Sequence, residues 1–304
     1  MNDRQLRYVL AVANTRSISA AARQLFISQP SLSAMIASIE EDLGAPLFDR
    51  TTTPLSLTYA GKCYVEAAGQ ILAIERDLRR KVTESSESVQ GPLSVGCSSA
   101  TSSVIMTFLI PKFLKLYPEV RLQIIEDHAT DLGRYLSSGE ADVLCCPTLS
   151  EEENYEKSIL SHEDMILLAP KSFVPGTLQS LSGKPFPSFD FACLSGKPFA
   201  LMKTGHMTRE LQEEVLRREQ IVPEILLETE RWETCVSMVE NDLAFTLLPF
   251  NKLKQDVVLG GLCAYSVHAD VYREVCLYWR RNSLLPRVTE TFLRFAEEEF
   301  RKLG

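Results

Sequence analysis

Ser28-Gln29-Pro30-Ser31-Leu32-Ser33-Ala34-Met35-Ile36-Ala37-Ser38-Ile39-Glu40-Glu41-Asp42-Leu43-Gly44 is the stretch whose reading decides how this chain begins. Leu32, Met35, Ile36, Ile39 and Leu43 recur at helical spacing and predict a buried stripe. Ser28 is the expected N-cap, with Pro30 in the first turn, where its missing N–H costs nothing. Gln29, Ser31, Ser33 and Ala34 are left on the leading, exposed face. Upstream, Leu6, Val9, Leu10 and Ala13 mark an earlier helix, and Asn14-Thr15-Arg16-Ser17 is a loop ending in a good cap. The run Ile18–Leu25 is rich in small residues, which let another helix cross closely. Phe26-Ile27-Ser28 is long enough only for a turn. Two short helices, a tight turn and a helix with a polar N-terminal face describe a helix-turn-helix. Gln can bond bidentately to adenine in the major groove, and Ser can meet bases or phosphates. The helix N-terminus itself favours phosphate oxygens. A three-helix packing unit in any α protein shows the same periodicity.

Residues 43–83 separate the two readings. Leu43-Gly44 closes the helix, and Pro46–Arg50 leads into Thr51–Thr58, a short β-ribbon with Arg50 at its base. Such a ribbon is a wing that touches the flanking backbone or minor groove. Thr58 caps a long helix in which Tyr64, Ala68, Ile71, Leu78 and Val82 fall at alternating four- and three-residue steps, Glu75 interrupting the seam. That stripe suits a dimerising helix pair; the alternative is a helix packed on its own domain.

The ordered set Ser19-Ala20-Ala21-Ala22-Arg23-Gln24-Leu25, Ser28-Gln29-Pro30-Ser31-Leu32-Ser33, Ile39-Glu40, Leu43-Gly44, Leu47-Phe48-Asp49-Arg50, Leu57-Thr58 and Gly61 resembles the LysR-type transcriptional regulators. The resemblance implies a winged helix-turn-helix on a linker helix, then a periplasmic-binding-protein-like effector domain. It also implies homodimers pairing into homotetramers on dyad-symmetric double-stranded DNA, with RNA polymerase as a further partner. Ser28, Gln29, Pro30, Ser31 and Ser33 then lie on the recognition helix and Arg50 in the wing. Ala34, Ala37 and Thr53-Pro54 depart from the basic or polar residues frequent in the family. Fewer phosphate contacts, and a shallower salt dependence, are the expectation.

Composition agrees with this division. Of 304 residues, 45% are apolar and 24% charged, as in ordinary soluble globular proteins. No apolar run approaches the roughly 20 residues of a membrane span, and the N-terminus has no secretory pattern. The net charge is −8, yet residues 1–90 hold 10 Lys/Arg and 10 Asp/Glu, so the remainder carries the whole excess. A neutral head on an acidic body leaves room for a DNA-reading head. The 8 cysteines are scattered, with no CxxC pair and no zinc spacing. Reduced thiols in a cytoplasmic protein are expected; oxidation sensing through Cys145 or Cys146 is a third reading.

From residue 91 onward strand and helix patterns alternate. Strands are expected at 93–97, 120–126, 141–146, 165–169, 224–227, 243–247 and 274–279, and helices at 105–117, 132–138, 209–220, 235–240 and after Pro286. This alternation means α/β architecture, read as parallel sheets in two Rossmann-like lobes with a ligand at the strand C-termini between them. The family resemblance continues more weakly through Gly96, Tyr117-Pro118, Gly139 with Asp142, and Leu243–Pro249. The predicted division is 1–58 for the DNA-binding head, 59–90 for the linker helix and hinge, and 91–304 for the effector domain. Lobe I is placed at about 91–161 and 268–304, lobe II at about 162–267.

Hydroxyl residues at strand ends are the candidate effector contacts. Ser98, Ser99 and Thr101 follow the first strand, Thr148 follows Cys145-Cys146-Pro147, and Lys203, Thr204 and His206 sit at the matching junction of the second lobe. Trp232 is a pocket wall or core. Hydroxyls with one Lys fit a small anion or carboxylate. For His206 alone, a solvent-exposed loop histidine is the commoner outcome. No hydrolase elbow, metalloprotease helix, Walker loop or dinucleotide motif is found, and none of the 4 histidines has metal spacing. No catalytic residue, metal or cofactor is expected. The leading reading is an effector-modulated DNA-binding regulator. The alternative is a cytosolic solute-binding or enzymatic α/β protein whose N-terminal helices only dimerise it.

Overall fold

A computed structural model describes residues 2–83, 88–98, 101–102, 105–147, 149, 155–250, 262–281 and 283–302. Helices α1 (Asp3–Thr15), α2 (Ile18–Gln24) and α3 (Gln29–Leu43) open the chain. Each start is capped by a side-chain oxygen, from Asn2, Ser17 and Ser28, which satisfies N–H groups that the first turn leaves free. Gln5 closes a capping box on Asn2. Gly44 ends α3 with φ 69°, a left-handed conformation that glycine adopts without penalty. The head's core is formed by Leu6, Val9, Val12, Ala21, Ala22, Leu32, Ile36 and Ile39, with Leu47 and Phe48 from the wing. Leu43, expected in the stripe, is exposed.

The wing is the antiparallel pair β1 (Phe48–Asp49) and β2 (Ser56–Leu57), with Phe48 opposite Leu57. Thr58 then donates to the Pro46 carbonyl and accepts from the Gly61 N–H, tying wing to helix. The long helix α4 (Tyr59–Thr83) comes next. Its predicted seam divides into two parts. Tyr64 and Ala68 are buried in the head's own core, so that half of the helix packs on its own domain. Ile71, Ile74, Leu78 and Val82 are exposed.

The next elements are β3 (Gly91–Cys97), a π-turn (Ile105–Leu109), α5 (Ile110–Leu116), β4 (Val120–Glu126), α6 (Ala129–Ser137) and β5 (Val143–Cys146). β3 lies parallel between β4 and β5. Then come β6 (Tyr155–Ala169), β7 (Gln179–Ser180), β8 (Pro187–Ser188), a 3-10 turn (Phe191–Leu194), β9 (Pro198–Met202), α7 (Met207–Arg218), β10 (Glu224–Thr229) and α8 (Trp232–Glu240). β11 (Thr246–Pro249), β12 (Cys263–Ser266), β13 (Tyr272–Arg280) and α9 (Arg287–Arg301) complete the chain.

Two compact units result. One comprises Met1–Ser102, Pro111–Ser158 and Leu277–Ala296; the other comprises Ser103–Ile110, Ile159–Cys276 and Glu297–Gly304. β6 and β13 each run through both. The expectation of purely parallel sheets is corrected in the second unit. There β9 and β10 pair in parallel, but β11 and β12 both pair antiparallel with β6. The cause is that β6 is 15 residues long and its apolar C-terminal end, 165–169, recruits a neighbour on either edge.

Within the first unit α4 is clamped onto the α/β layer. Asp142, buried at 3% exposure, accepts from Arg80 at 2.8 Å and from the Ser94 backbone N–H at 2.8 Å. Arg280 of β13 bonds to the carboxylate of Asp77 at 2.5 Å and to the carbonyls of Leu136 and Ala141. Gly139 makes the close approach: a Cβ there would lie 2.5 Å from both Ala73 Cβ and Arg76 Nη2, at φ +72°. The pairing of Gly139 with Asp142 thus serves to seat the linker helix.

Candidate nucleic-acid interface and effector loops

Ser28 accepts from the Ser31 N–H and its hydroxyl bonds to the Ser31 hydroxyl at 2.9 Å. It holds the start of α3 while Gln29, Pro30 and Ser31 stand exposed; Ser33 is half-buried one turn on. No hydrogen bond of the Gln29 side chain competes with a base edge among the described residues. Residues 4–39 contain four arginines (4, 7, 16 and 23) and no acid. The head's neutrality therefore hides a net +4 over residues 4–39, offset by Asp3 before it and by the acids at the end of α3, in the wing and on α4.

Arg50, expected at the base of the wing, has a partner within the head. Its Nη2 bonds to Glu40 Oε2 at 2.8 Å, while Glu40 Oε1 accepts from the Leu47 and Phe48 N–H groups. One carboxylate at the end of α3 thereby pins the strand that enters the wing. Arg50 keeps about half of its side-chain surface in solvent, so it is at once a wing brace and a cation facing outward. The sequence reading placed Glu40 in the family pattern without a role, because a bond from the end of α3 to the wing is not a local signal.

Each compact unit carries its own candidate effector loops. In the first, Ser98 and Thr101 are buried and their hydroxyls lie 3.2 Å apart, with Thr101 Oγ1 donating to the Cys145 carbonyl at 2.7 Å. The Ser98 carbonyl accepts from the N–H groups of Thr101 and Ser102. The Ser102 hydroxyl is taken by Glu126. Ser99 and Thr148 lie outside the described residues. In the second unit Lys203 is exposed and bonds to Glu230 at 2.9 Å, and that pair holds its ammonium above the ordinary lysine range. Thr204 is exposed beside it. His206 has a specific local role: its Nδ1 accepts from the Thr208 N–H and caps α7. Trp232 begins α8 and packs partly buried against two apolar clusters, which makes it largely a core residue.

Beneath the Lys203–His206 loop lie residues that the sequence reading passed over. Arg209 is buried and bonds to the Met202 carbonyl and to Glu213 and Glu228. Gln212 bridges the Met202 N–H and the Leu247 carbonyl. These bonds hold the β9–α7 junction in a fixed shape.

Two family models account for most of the chain. "Bacterial regulatory helix-turn-helix protein, lysR family" matches residues 4–62, and "LysR substrate binding domain" matches residues 86–301. The chain belongs to the LysR-type transcriptional regulators. As a LysR-type regulator it pairs a DNA-binding head with an effector-binding domain, and its relatives are regulators, not enzymes. It is 27% identical over 312 residues to the HTH-type transcriptional regulator YcgK of Bacillus subtilis, covering 99% of this chain and 96% of YcgK. It is 26% identical over 210 residues to the dual regulator OxyR of Escherichia coli, covering 69% of this chain and 66% of OxyR. A full-length OxyR variant from Pseudomonas aeruginosa superposes with a TM-score of 0.72 at 24% identity, covering 100% and 96% of the two chains. CbnR bound to its target DNA superposes at 0.53 and 20% identity, covering 99% and 100%. These structures establish the shared fold. No described helix of this LysR-type chain is long and apolar enough to cross a membrane.

Proposed function

We propose that this LysR-type regulator reads dyad-symmetric DNA through Ser28, Gln29, Pro30, Ser31 and Ser33, with Arg50 at the wing. We further propose that a small anionic effector, of the carboxylate class, binds at the loops carrying Ser98, Ser99, Thr101, Thr148, Lys203, Thr204, His206 and Trp232. The observation that carries the DNA reading is the start of α3, where an N-cap holds Gln29, Pro30 and Ser31 exposed beside an acid-free, arginine-bearing segment. The working division is 1–58 for the head, 59–90 for the linker and 91–304 for effector binding. Two copies pair along Ile71, Ile74, Leu78 and Val82 of α4, whose exposure supports a helix–helix seam, and two such pairs make the tetramer. For a carboxylate, the hydroxyls of Ser98 and Thr101 after β3 become donors by giving up their bonds to each other and to the Cys145 carbonyl, as Lys203 does by leaving Glu230. Glu126 and Glu230, each bonded within these loops, favour a second reading in which the effector also carries a donor group such as an amine.

The test is binding of the full-length protein to the intergenic DNA beside its own gene, as a salt series against an unrelated duplex. Tight, selective binding that Gln29→Ala or Ser33→Ala abolishes is expected. Equal binding of both duplexes by wild type and variants overturns the reading. Thermal-shift screening of dicarboxylates, monocarboxylates and amino acids then sorts the effector class. A Tm rise with carboxylates that Thr101→Val removes supports the anionic reading, and a response to amino acids alone supports the second. A bound effector changes activity only if it binds two conformations unequally.

A further inference from the structure

We infer that Phe26 is a DNA contact, packing its ring on a thymine methyl group of the half-site; the inference rests on the helix-turn-helix reading above. Phe26 is 95% exposed, the most exposed large apolar side chain of the head. Its neighbours turn the other way: Leu25 and Ile27 both pack against the head's core. The backbone holds this arrangement, because the Phe26 N–H donates to the Arg23 carbonyl at 3.2 Å and the Ile27 N–H to the Ala22 carbonyl at 3.0 Å. Phe26 itself sits at φ 55°, a left-handed conformation that glycine or asparagine occupies more readily than an aromatic residue. Folding alone would therefore be served better by another residue at this position, on both the exposure and the backbone count.

The surroundings say what covers the ring. Two residues on, Ser28 caps α3, and exposed Gln29, Pro30 and Ser31 come directly after it, so Phe26 is continuous with the proposed recognition surface. Arg23 is exposed three residues before it, and residues 4–39 carry no acid. That charge suits a polyanion, and pairing this segment with the same segment of a second copy would set like charge against like. In the major groove the apolar feature is the C5 methyl of thymine, which a phenyl ring can cover.

The probe is a duplex selected from a random-sequence pool by the full-length protein, beside a scrambled duplex and a series in which each thymine is replaced by uracil. Phe26→Asn suits the left-handed turn, so its Tm should equal or exceed that of wild type. It should bind the selected duplex about tenfold more weakly, the scale of one lost base-pair contact, with little change on the scrambled one. One uracil position per half-site should weaken wild type and leave Phe26→Asn indifferent. Unchanged affinity of Phe26→Asn, or the same uracil profile in both proteins, overturns the inference. Gln29→Ala separates the two levels: if it too binds as wild type, the helix-turn-helix reading fails; if it alone loses affinity, only the role of Phe26 fails.

Discussion

Glu40 shows how much a single side chain can carry here. It closes the two strand-entry N–H groups of Leu47 and Phe48 and braces Arg50. Glu40→Ala strands those donors and should destabilise the head by about 1–3 kcal/mol, seen as a loss of Tm, while Glu40→Gln keeps an acceptor and should cost less. Gly61 is tighter still, since a Cβ there would stand 1.9 Å from the Leu47 carbonyl oxygen. A backbone atom cannot swing aside as a side chain can, so Gly61→Ala should cost at least the ~1–3 kcal/mol of an overpacked core, measurable by urea unfolding. A different caution attaches to Ser188, His268 and Glu219. Ser188 Oγ is 3.3 Å from His268 Nε2, and Nδ1 is 3.1 Å from Glu219 Oε2, the outline of a nucleophile, base and orienting acid. Ser188 is fully buried, and Gln179 shares the same ring nitrogen at 2.9 Å. With Gln179 the trio ties β7 and β8 to the end of α7, and the Ser188 hydroxyl is closed off from solvent.

α4 is where the sequence reading and the structure part most instructively. Its heptad-like spacing was legible, yet one apolar stripe serves two partners: Tyr64 and Ala68 cover the head's core, and Ile71, Leu78 and Val82 remain exposed. Spacing records which residues share a face, not what covers each stretch of it. Ile74→Glu with Leu78→Glu should break the α4 seam and lower the mass by light scattering from four chains to two, with at most the small loss of Tm that a lost subunit contact brings. The third face of α4 was illegible, because Asp77, Arg80, Asp142 and Arg280 look like ordinary surface charges until distant segments meet. Asp77 is 1% exposed, and removing it leaves Arg280 buried without its carboxylate. Asp77→Ala should cost about 3–5 kcal/mol, the scale of a broken buried ion pair, read by chemical unfolding. The recognition helix, by contrast, was legible almost completely, since its cap, proline, apolar stripe and polar face are all local signals. The effector loops were legible only as strand ends. Whether a hydroxyl is a ligand or a brace depends on neighbours such as Cys145, Glu126 and Glu230, which lie far away in sequence.

For the molecule as a whole, the relationship to OxyR raises the question of thiol chemistry. Cys145 and Cys146 are fully buried. Burial pushes the Cys97 and Cys235 thiols up to about 11, so at pH 8 roughly a thousandth of each is thiolate, the reactive form. Cys63 and Cys193 are exposed. Maleimide labelling of the native protein at pH 8 should modify 63 and 193 rapidly and spare 97, 145, 146 and 235 until denaturant is added. The reactivity of 97 and 235 should rise as pH climbs toward 11. Rapid native labelling of Cys145 or Cys146 would revive the oxidation-sensing reading.

The seat of α4 on Gly139 and the carboxylate of Asp142 also bears on where this chain can be cut. A fragment beginning at Gly91 would strip the cover from Asp142 and Arg280, leaving two charges half-buried without their ion-pair partners on α4 and a groove shaped for an absent helix. Heads borrowed from other family members should be spliced before Gly69, whose own Cβ position lies 2.9 Å from Ser138 Cα, so that residues 69–82 travel with the body. A chimaera joined there keeps its sensor intact; one joined at the hinge should express poorly, whatever its head can read.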